Sequence, residues 1–208
     1  MFLILDFTQS LKLAIISQDK LIHKELKTKK NISEILIAEI DHFFKKSEIN
    51  IKTIKSIYII TGPGSFTGIR SALTFAKSLK LTMKLNIFGL SKFQIINFSR
   101  KLKKTNRIRC IILHFRKNQF FTQSFQDNKA INNARLVNFD YEKFKFNRNK
   151  IYIYDSVLFE AFMDGTFLKK TKENSLLVDY NLNDLQNIIV NNMIDIADPK
   201  PLYISNFY

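Results

Sequence analysis

Thr61-Gly62-Pro63-Gly64-Ser65-Phe66-Thr67-Gly68-Ile69-Arg70 has a composition unlike that of the rest of the chain. The protein contains only five glycines and three prolines, yet three of the glycines and one proline lie within residues 62–68. The apolar run Ile57–Ile60 before this stretch has the length and character of a buried strand. After it, apolar residues recur with helical spacing, at Ile69, Leu73, Ala76, Leu79 and Met83. The pattern predicts a buried strand, a glycine-rich connection and a helix.

A glycine-rich connection at this position has two uses. Glycine allows positive φ and the close approach of another backbone or of a phosphate, and a helix start presents free N–H groups and the positive end of its dipole. Ser65 or Thr67 can cap the helix or bind an anion through its hydroxyl. The Walker A loop and the dinucleotide-binding fingerprint both fail, since no Lys follows Gly68 and Thr67 stands where the third glycine is needed. A tight packed turn and a phosphate site therefore both stay open.

The first hundred residues predict the order β-β-β-α-β-α-β-α. Three extended segments come first and are typical of a β-meander, and the first helix begins near Asn31, with Glu34 placed as in a capping box. The predicted strands are Phe2–Phe7, Leu11–Ser17, Leu21–Leu26, Ile57–Ile60 and Asn86–Leu90, and a third helix is predicted over Lys92–Leu102. This is the order of the ribonuclease-H-like lobe of actin-like proteins. The predicted fold class is therefore α/β and actin-like, with two lobes of which the second is small and irregular.

The second half of the chain is less regular. Its apolar runs predict four strands and two helices, and the polar and basic segment Asn128–Asn149 is expected to be rich in loops. The strands are predicted over Ile108–Leu113, Gln119–Phe125, Lys150–Tyr154 and Ser175–Tyr180, and the helices over Ser156–Met163 and Asn181–Ile196. We expect the two lobes to cover residues 1–105 and 106–208.

Composition bounds the class of protein. The chain has 208 residues, of which 46% are hydrophobic, so it can bury a sizeable core. No uncharged apolar run reaches the length of about 18 residues that a membrane-spanning helix needs, and Met1–Asp6 reads as a strand rather than as a signal peptide. The only cysteine, Cys110, lies in an apolar run and is expected to be a core residue, without an internal disulfide or a zinc site. A reducing, cytoplasmic location is expected.

The formal net charge is +15, with 33 Lys and Arg against 18 Asp and Glu. Such a charge attracts phosphate backbones. However, richness in Lys, Asn, Ile and Phe is also the usage of an AT-rich genome, and many of the lysines are scattered. An RNA-facing surface and a merely solvated one both stay open, and Lys101–Arg109 is the densest basic cluster.

The stretch Gly62–Gly68, followed by Ile69 and Arg70, closely resembles the glycine-rich stretch of the TsaB family, formerly YeaZ. Other family features occur in chain order, as Leu5-Asp6-Phe7-Thr8, Ser33-Glu34, Gly89-Leu90-Ser91 and Pro201-Leu202-Tyr203-Ile204-Ser205. The resemblance spans the whole chain and is strong over residues 1–95. The chain departs from the family at Ile32, at the eroded acidic hairpin His114–Gln119, and at Ser205, which replaces a terminal Arg.

The resemblance implies a cytoplasmic, non-catalytic subunit of the machinery that forms threonylcarbamoyladenosine on tRNA. The implied partners are a TsaD-type transferase, a TsaE-type ATPase and a second copy of the chain in a homodimer, with tRNA contacted indirectly or through the basic surface and no membrane. No catalytic residue, metal or cofactor is implied in this chain, and ATP would act only at the level of the complex. The His-x-x-x-His metal-binding pair of TsaD is missing, since His23, His42 and His114 do not have that spacing.

The family pairs its first two helices with the same helices of the partner, as a four-helix bundle. Ile37 and Phe44 lie outside the predicted core stripe of the first helix, and Phe75 lies outside that of the second. Surplus apolar residues at helical spacing indicate a second buried face. We therefore predict Ile37, Phe44 and Phe75 as interface residues, with cover by neighbouring loops as the alternative.

Three other functions compete with this interpretation. A stand-alone actin-like ATPase or kinase would use Asp6 as its phosphate-lobe acid, but a second acidic glycine-rich loop is missing from the sequence. A peptidase would need Ser65 as nucleophile, and no histidine lies near it in sequence. A basic RNA-binding module would bind tRNA alone and in a salt-sensitive way. The candidate ligand-binding residues are Asp6, Gly62, Pro63, Gly64, Ser65, Phe66, Thr67, Gly68 and Arg70.

Overall fold

In a computed structural model of the chain, the first strand, β1 (Phe2–Asp6), lies at the centre of a five-stranded sheet. β2 (Leu11–Ser17) pairs antiparallel with β1, and β3 (Lys20–Leu26) pairs antiparallel with β2. On the other side, β4 (Ser56–Ile60) pairs parallel with β1 and β5 (Asn86–Leu90) pairs parallel with β4. The order of these strands along the chain is the predicted one, their order in the sheet is β3-β2-β1-β4-β5, and the α/β, actin-like fold class is confirmed.

The structure describes residues 1–17, 20–28, 30–102, 105–116, 119–138, 147–156, 175–179, 182–191, 199–200, 202 and 204. Contacts divide the chain into two units, which are called the first and the second unit below. The first unit is Met1–Lys92 with Ile189–Tyr203, and the second is Phe93–Ile188 with Ile204–Tyr208.

Two long helices form the connections between strands that lie parallel in the first sheet. α1 (Ile32–Lys46), followed by a short 3-10 turn at Ile51–Thr53, connects β3 to β4. α2 (Phe66–Met83) connects β4 to β5. α3 (Lys92–Asn97) follows β5 and is shorter than predicted. Both long helices bury the apolar stripes that the sequence indicates, and α1 and α2 contact each other.

The core of the first unit contains side chains from every strand except β3 and from both long helices. Full burial of one Leu, Ile or Phe contributes about 1.5–3 kcal/mol, so this core dominates the stability of the unit. Phe44 belongs to it, with 7% of its surface exposed. Its predicted place outside the core stripe is wrong, because Phe44 is one turn beyond Ile40 and two turns beyond Leu36, which are both buried.

The second unit contains a six-stranded sheet. Its strands are β6 (Ile108–Arg116), β7 (Gln119–Gln126), β8 (Lys129–Ala130), β9 (Arg135–Asn138), β10 (Lys150–Tyr154) and β11 (Ser175–Leu177), and α4 covers Leu182–Val190. The order is β11-β10-β6-β7-β8, with β9 paired to β7; β10 lies parallel to β6 and to β11. Cys110 is buried in this sheet, as expected.

The loop-rich character predicted for Asn128–Asn149 is wrong in part, because β8 and β9 lie in it. The strand predicted over Ser175–Tyr180 ends at Leu177, and the predicted helix Ser156–Met163 lies almost entirely outside the described residues. In the part of the chain that the structure describes, no helix combines the length and the apolar character that crossing a membrane requires.

Candidate functional site

The glycine-rich loop begins where β4 ends and is tied to the end of β5. The Thr61 N–H donates to the Leu90 carbonyl oxygen at 2.9 Å, and the Lys92 N–H donates to the Gly62 carbonyl oxygen at 2.8 Å. Gly62 has φ +120°, a conformation that other residues rarely adopt, and it precedes the buried Pro63 through a cis peptide bond. These bonds hold the loop at the carboxyl ends of two parallel strands.

Two glycines bring this loop and the first turn of α2 against the chain that leaves β1. A Cβ atom on Gly68 would lie 2.0 Å from the Phe7 carbonyl oxygen, and one on Gly64 would lie 2.5 Å from the Thr8 carbonyl oxygen. Both distances are below the 3.0 Å that real Cβ contacts keep. The Ser65 N–H donates to the Thr8 carbonyl oxygen at 2.7 Å. We call this contact between residues 7–8 and residues 64, 65 and 68 the glycine seat.

Two polar side chains complete the glycine seat. The Ser65 hydroxyl is the N-cap of α2 and accepts a hydrogen bond from the Gly68 N–H at 3.2 Å. Asp6 is 2% exposed, and its Oδ1 accepts hydrogen bonds from the Thr8 N–H, at 2.9 Å, and from the Thr8 hydroxyl. Asp6 therefore fixes the conformation of residues 6–8, which the glycine-rich loop contacts.

The predicted ligand-binding residues do not form one group. Asp6, Gly64, Ser65 and Gly68 converge at the glycine seat, whereas Phe66, Thr67 and Arg70 lie exposed on α2. The Arg70 guanidinium lies 5.0 Å from the centre of the Phe66 ring, a cation–π contact. This arrangement favours the packed turn over the phosphate site, because the chain at Phe7 and Thr8 already occupies the space beside Gly68 and Gly64.

The chemistry of the site also bears on the alternatives. The Ser65 hydroxyl acts as a helix cap, and in the described part of the chain no histidine forms a hydrogen bond with it, unlike the nucleophile–base pair of a peptidase. Among the described residues, no group of three or more His, Cys, Asp or Glu side chains is arranged to hold a metal. The geometry is that of a structural junction.

The apolar surface of α1 and α2 differs in part from the predicted one. Ile37 is 64% exposed, as the interface prediction requires, whereas Phe75 is half-buried against the core of the first unit and Phe44 lies inside that core. The interface prediction did not include Phe66 and Leu81, which are 52% and 85% exposed; Phe66 is predicted only as a ligand-binding residue. Leu81 lies off the buried stripe of α2, a signal that the helical spacing already contained. Ile37, Phe66 and Leu81 are called the α1/α2 surface below.

The sequence also does not predict which residues lie in close contact with the glycines. Phe7 and Thr8 face Gly68 and Gly64, and a Cβ atom on Gly89 would lie 2.9 Å both from Thr61 Cγ2 and from Pro199 Cα. The signal for these contacts is that glycines are rare in the chain, while Gly64 follows β4, Gly68 lies in the first turn of α2 and Gly89 lies near the end of β5. Each of them therefore marks a close approach of two segments.

A family model described as "TsaD: tRNA N6-adenosine threonylcarbamoyltransferase" matches residues 15–142. Two curated relatives are named "tRNA threonylcarbamoyladenosine biosynthesis protein TsaB". The one from Buchnera aphidicola subsp. Acyrthosiphon pisum is 28% identical over 105 residues, which are 50% of this chain and 47% of the relative. The one from Buchnera aphidicola subsp. Schizaphis graminum is 35% identical over 61 residues, or 29% of each chain. The chain thus matches less than half of the length of either relative.

Two solved structures share the fold over nearly the whole chain. YeaZ from Pseudomonas aeruginosa superposes with a TM-score of 0.62 at 11% identity and covers 99% of both chains. A protein described as having similarity to peptidase YEAZ from Pseudomonas aeruginosa has a TM-score of 0.67 at 12% identity, over 98% of this chain and 99% of the other. At such identities the likeness establishes the fold. Because the family model matches more than half of the chain, this chain belongs to the family that the model describes, and the curated relatives that it resembles carry the TsaB name.

Proposed function

We propose that this chain is a non-catalytic subunit of the cytoplasmic machinery that forms threonylcarbamoyladenosine on tRNA, and that it supports a TsaD-type transferase by binding it. The family membership supports the pathway, since the matching model and the curated relatives are both named for this modification. The α1/α2 surface is the observation that carries the partner role, because it offers exposed apolar side chains on two helices that contact each other.

The energetics of the α1/α2 surface favour a helical partner. Ile37, Phe66 and Leu81 are each more than half exposed, and burying such side chains contributes about 1.5–3 kcal/mol apiece when burial is complete. Two adjacent helices with exposed apolar residues are half of a four-helix bundle, which a second helix pair can complete. Arg70, held over the Phe66 ring, adds a cation that can meet a carboxylate of the partner.

The glycine seat supports a structural rather than a catalytic role. Its polar groups act within the chain: Ser65 caps α2 and Asp6 binds Thr8. By fixing the first turn of α2 against β1, the seat sets the position of Phe66, which belongs to the α1/α2 surface. The glycine-rich loop would therefore serve partner binding indirectly.

The test is size-exclusion chromatography with light scattering of the chain mixed with TsaD from the same organism. Ile37→Asp places a charge on the α1/α2 surface, and we expect it to weaken complex formation by about tenfold or more, since an interface centre does not tolerate an unpaired charge. Ile131→Asp is the matched control, because Ile131 is 48% exposed in the second unit. Both variants should keep the circular dichroism spectrum of the parent.

Co-elution of Ile37→Asp with TsaD at parental affinity would contradict the proposed interface. Robust ATP hydrolysis by the isolated chain would favour the stand-alone ATPase instead. Light scattering of the chain alone reports whether a second copy covers the α1/α2 surface when TsaD is absent. Addition of a TsaE-type ATPase to the purified pair tests whether it joins the complex, as we propose.

A further inference from the structure

Two basic loops emerge side by side at one end of the sheet of the second unit. Lys150, the first residue of β10, pairs in parallel register with Ile108, the first residue of β6. The segments that precede these two strands therefore leave the sheet at the same end. An Arg107 Nη1 donates to the Arg148 carbonyl oxygen at 3.4 Å and links the two segments directly.

The loop before β6 is closed at its base. Arg109 is 7% exposed, and its Nη1 donates to the Asn97 carbonyl oxygen at 3.3 Å and to the Asn97 Oδ1 at 3.1 Å. The Ser99 hydroxyl donates to Asp184 Oδ2 at 3.0 Å. The Arg109 bonds join Asn97, the last residue of α3, to the second residue of β6, and the Ser99 bond joins the same segment to α4. Arg100, Lys101 and Arg107 lie in sequence between α3 and β6.

The turn before β10 is fixed by its own hydrogen bonds. The Asn149 N–H donates to the Asn147 Oδ1 at 2.9 Å, and the Asn147 N–H donates to the Tyr152 hydroxyl at 3.1 Å. Tyr152 is buried in the sheet, so this bond connects the turn to the core of the second unit. Arg148, between the two asparagines, is exposed.

Five cations follow this end of the sheet. Arg100, Lys101, Arg107 and Arg148 are exposed and Lys150 is half-buried; together they are called the basic edge. In the described part of the chain, salt bridges join Lys12 to Glu25, Lys24 to Glu39 and Lys45 to Asp41, and none involves Lys101 or Arg148.

Two carboxylates near the basic edge, among the described residues, are engaged elsewhere in the second unit. Asp184 is buried and accepts from Ser99 and from the Arg100 backbone N–H. Asp127 acts on the buried Arg109: burial lowers the pKa of that guanidinium, and the Asp127 carboxylate opposes the shift. Among the described residues, Arg100, Lys101, Arg148 and Lys150 form no salt bridge, so the charges of these four side chains are available to an external anion.

We propose that the basic edge binds the phosphate backbone of RNA. Exposed Arg and Lys side chains release counterions from a phosphodiester chain, and the planar guanidinium matches phosphate oxygens. A series of cations on two adjacent segments suits a polymer with regularly spaced charges. Phosphate contacts position a nucleic acid without reading its bases, so the expected role is to hold the RNA. The proposal rests on the proposed function for the choice of tRNA as the RNA that is bound.

The test is fluorescence anisotropy of labelled, unmodified tRNA with the full-length chain over a range of KCl concentrations. Lys101→Glu with Arg148→Glu changes the basic edge at two exposed side chains. Lys52→Glu with Arg135→Glu is the matched control, with one exposed Lys and one exposed Arg outside the edge and the same change of net charge. The affinity of the edge variant for tRNA should fall by about tenfold or more. The slope of its log affinity against log KCl concentration should become shallower by the amount expected for the loss of roughly two phosphate contacts. The control should change by less than about threefold.

Equal losses in the two double variants, or no tRNA binding by the parent chain, would overturn the proposal. If the edge variant kept its affinity for tRNA but no longer co-eluted with TsaD, the basic edge would be a protein-binding surface. This result would also overturn the proposal. Failure of the parent chain to bind TsaD would overturn the proposed function alone, because the anisotropy experiment contains no TsaD. Melting curves of both variants confirm that they are folded.

Discussion

The two long helices of the first unit begin in different ways. α2 starts at Ser65, whose hydroxyl accepts a hydrogen bond from the N–H of Gly68, the third helical residue. α1 starts at Asn31, whose side chain makes no capping bond to the helix backbone; instead its Nδ2 donates to Glu34 Oε1 at 2.8 Å. Neither side-chain-to-backbone bond of the capping box predicted at Asn31 and Glu34 is therefore formed, and a contact between the two exposed side chains takes their place.

The third helical position shows what this difference means. In α2 it is Gly68, which lies against the Phe7 carbonyl oxygen, and in α1 it is Glu34, which is exposed. The start of α2 is thus placed by contact of its backbone with the chain after β1, which a side chain would prevent. At the start of α1, Asn31 and Glu34 are exposed, and α1 is held by its apolar stripe and by the Lys24–Glu39 salt bridge to β3. A helix start that must lie at a defined position needs the first arrangement.

Gly68→Ala should break this comparison with the largest effect. The new Cβ atom would lie 2.0 Å from the Phe7 carbonyl oxygen and 3.0 Å from its carbonyl carbon, so the backbone of α2 must move. Overpacking of this kind costs about 1–3 kcal/mol and sometimes more, and we expect the upper end because both sides of the contact are backbone. Urea unfolding followed by circular dichroism measures the loss.

Glu34→Ala is the matched control at the third position of α1. Glu34 is exposed, and its removal loses a favourable charge near a helix start, worth about 0.3–1 kcal/mol, together with the exposed contact with Asn31. If Gly68→Ala cost no more than Glu34→Ala, the close contact with Phe7 would not determine the position of α2. Since Phe66 lies in the same turn, Gly68→Ala should also weaken TsaD binding under conditions in which the variant is folded.

Gly64→Ala should have a smaller but still clear effect. Its Cβ atom would lie 2.5 Å from both Cβ and the carbonyl oxygen of Thr8. Gly64 lies in the loop rather than in the helix, so it can move without displacing the whole of α2. We expect a loss of about 1–3 kcal/mol in the free energy of unfolding, measured by the same urea titration. Parental stability would show that the loop moves away from Thr8 at little cost.

The contrast between the two helix starts explains which features of the fold the sequence predicts and which it does not. The strands of the first unit are continuous apolar runs and its helices carry clear stripes, so their order is predictable. The partner of each glycine is not, because Phe7 is far from Gly68 along the chain and nothing local to either residue encodes the contact. Phe44 was misplaced although its spacing from Ile40 already put it on the buried stripe.

The second unit shows a different limit. β8 has two residues and β9 has four, and both contain exposed polar or charged residues. Such segments become strands because β7 supplies the hydrogen-bonding partner, and strand propensity depends strongly on that context. The basic edge was visible in the sequence only as the cluster Lys101–Arg109. The register of β6 with β10 is what adds Arg148 and Lys150 to it.

Ser65→Ala compared with Asn31→Ala should give the smallest difference between the two helix starts. Ser65→Ala removes the acceptor of the Gly68 N–H, a loss of about 1 kcal/mol for a typical N-cap. Asn31→Ala removes only an exposed contact with Glu34 and should cost less than about 0.5 kcal/mol. Urea midpoints at an unchanged m-value resolve the two variants. Equal losses would mean that Ser65 acts only through its backbone N–H bond to Thr8, in which case the glycine seat would position α2 without its cap.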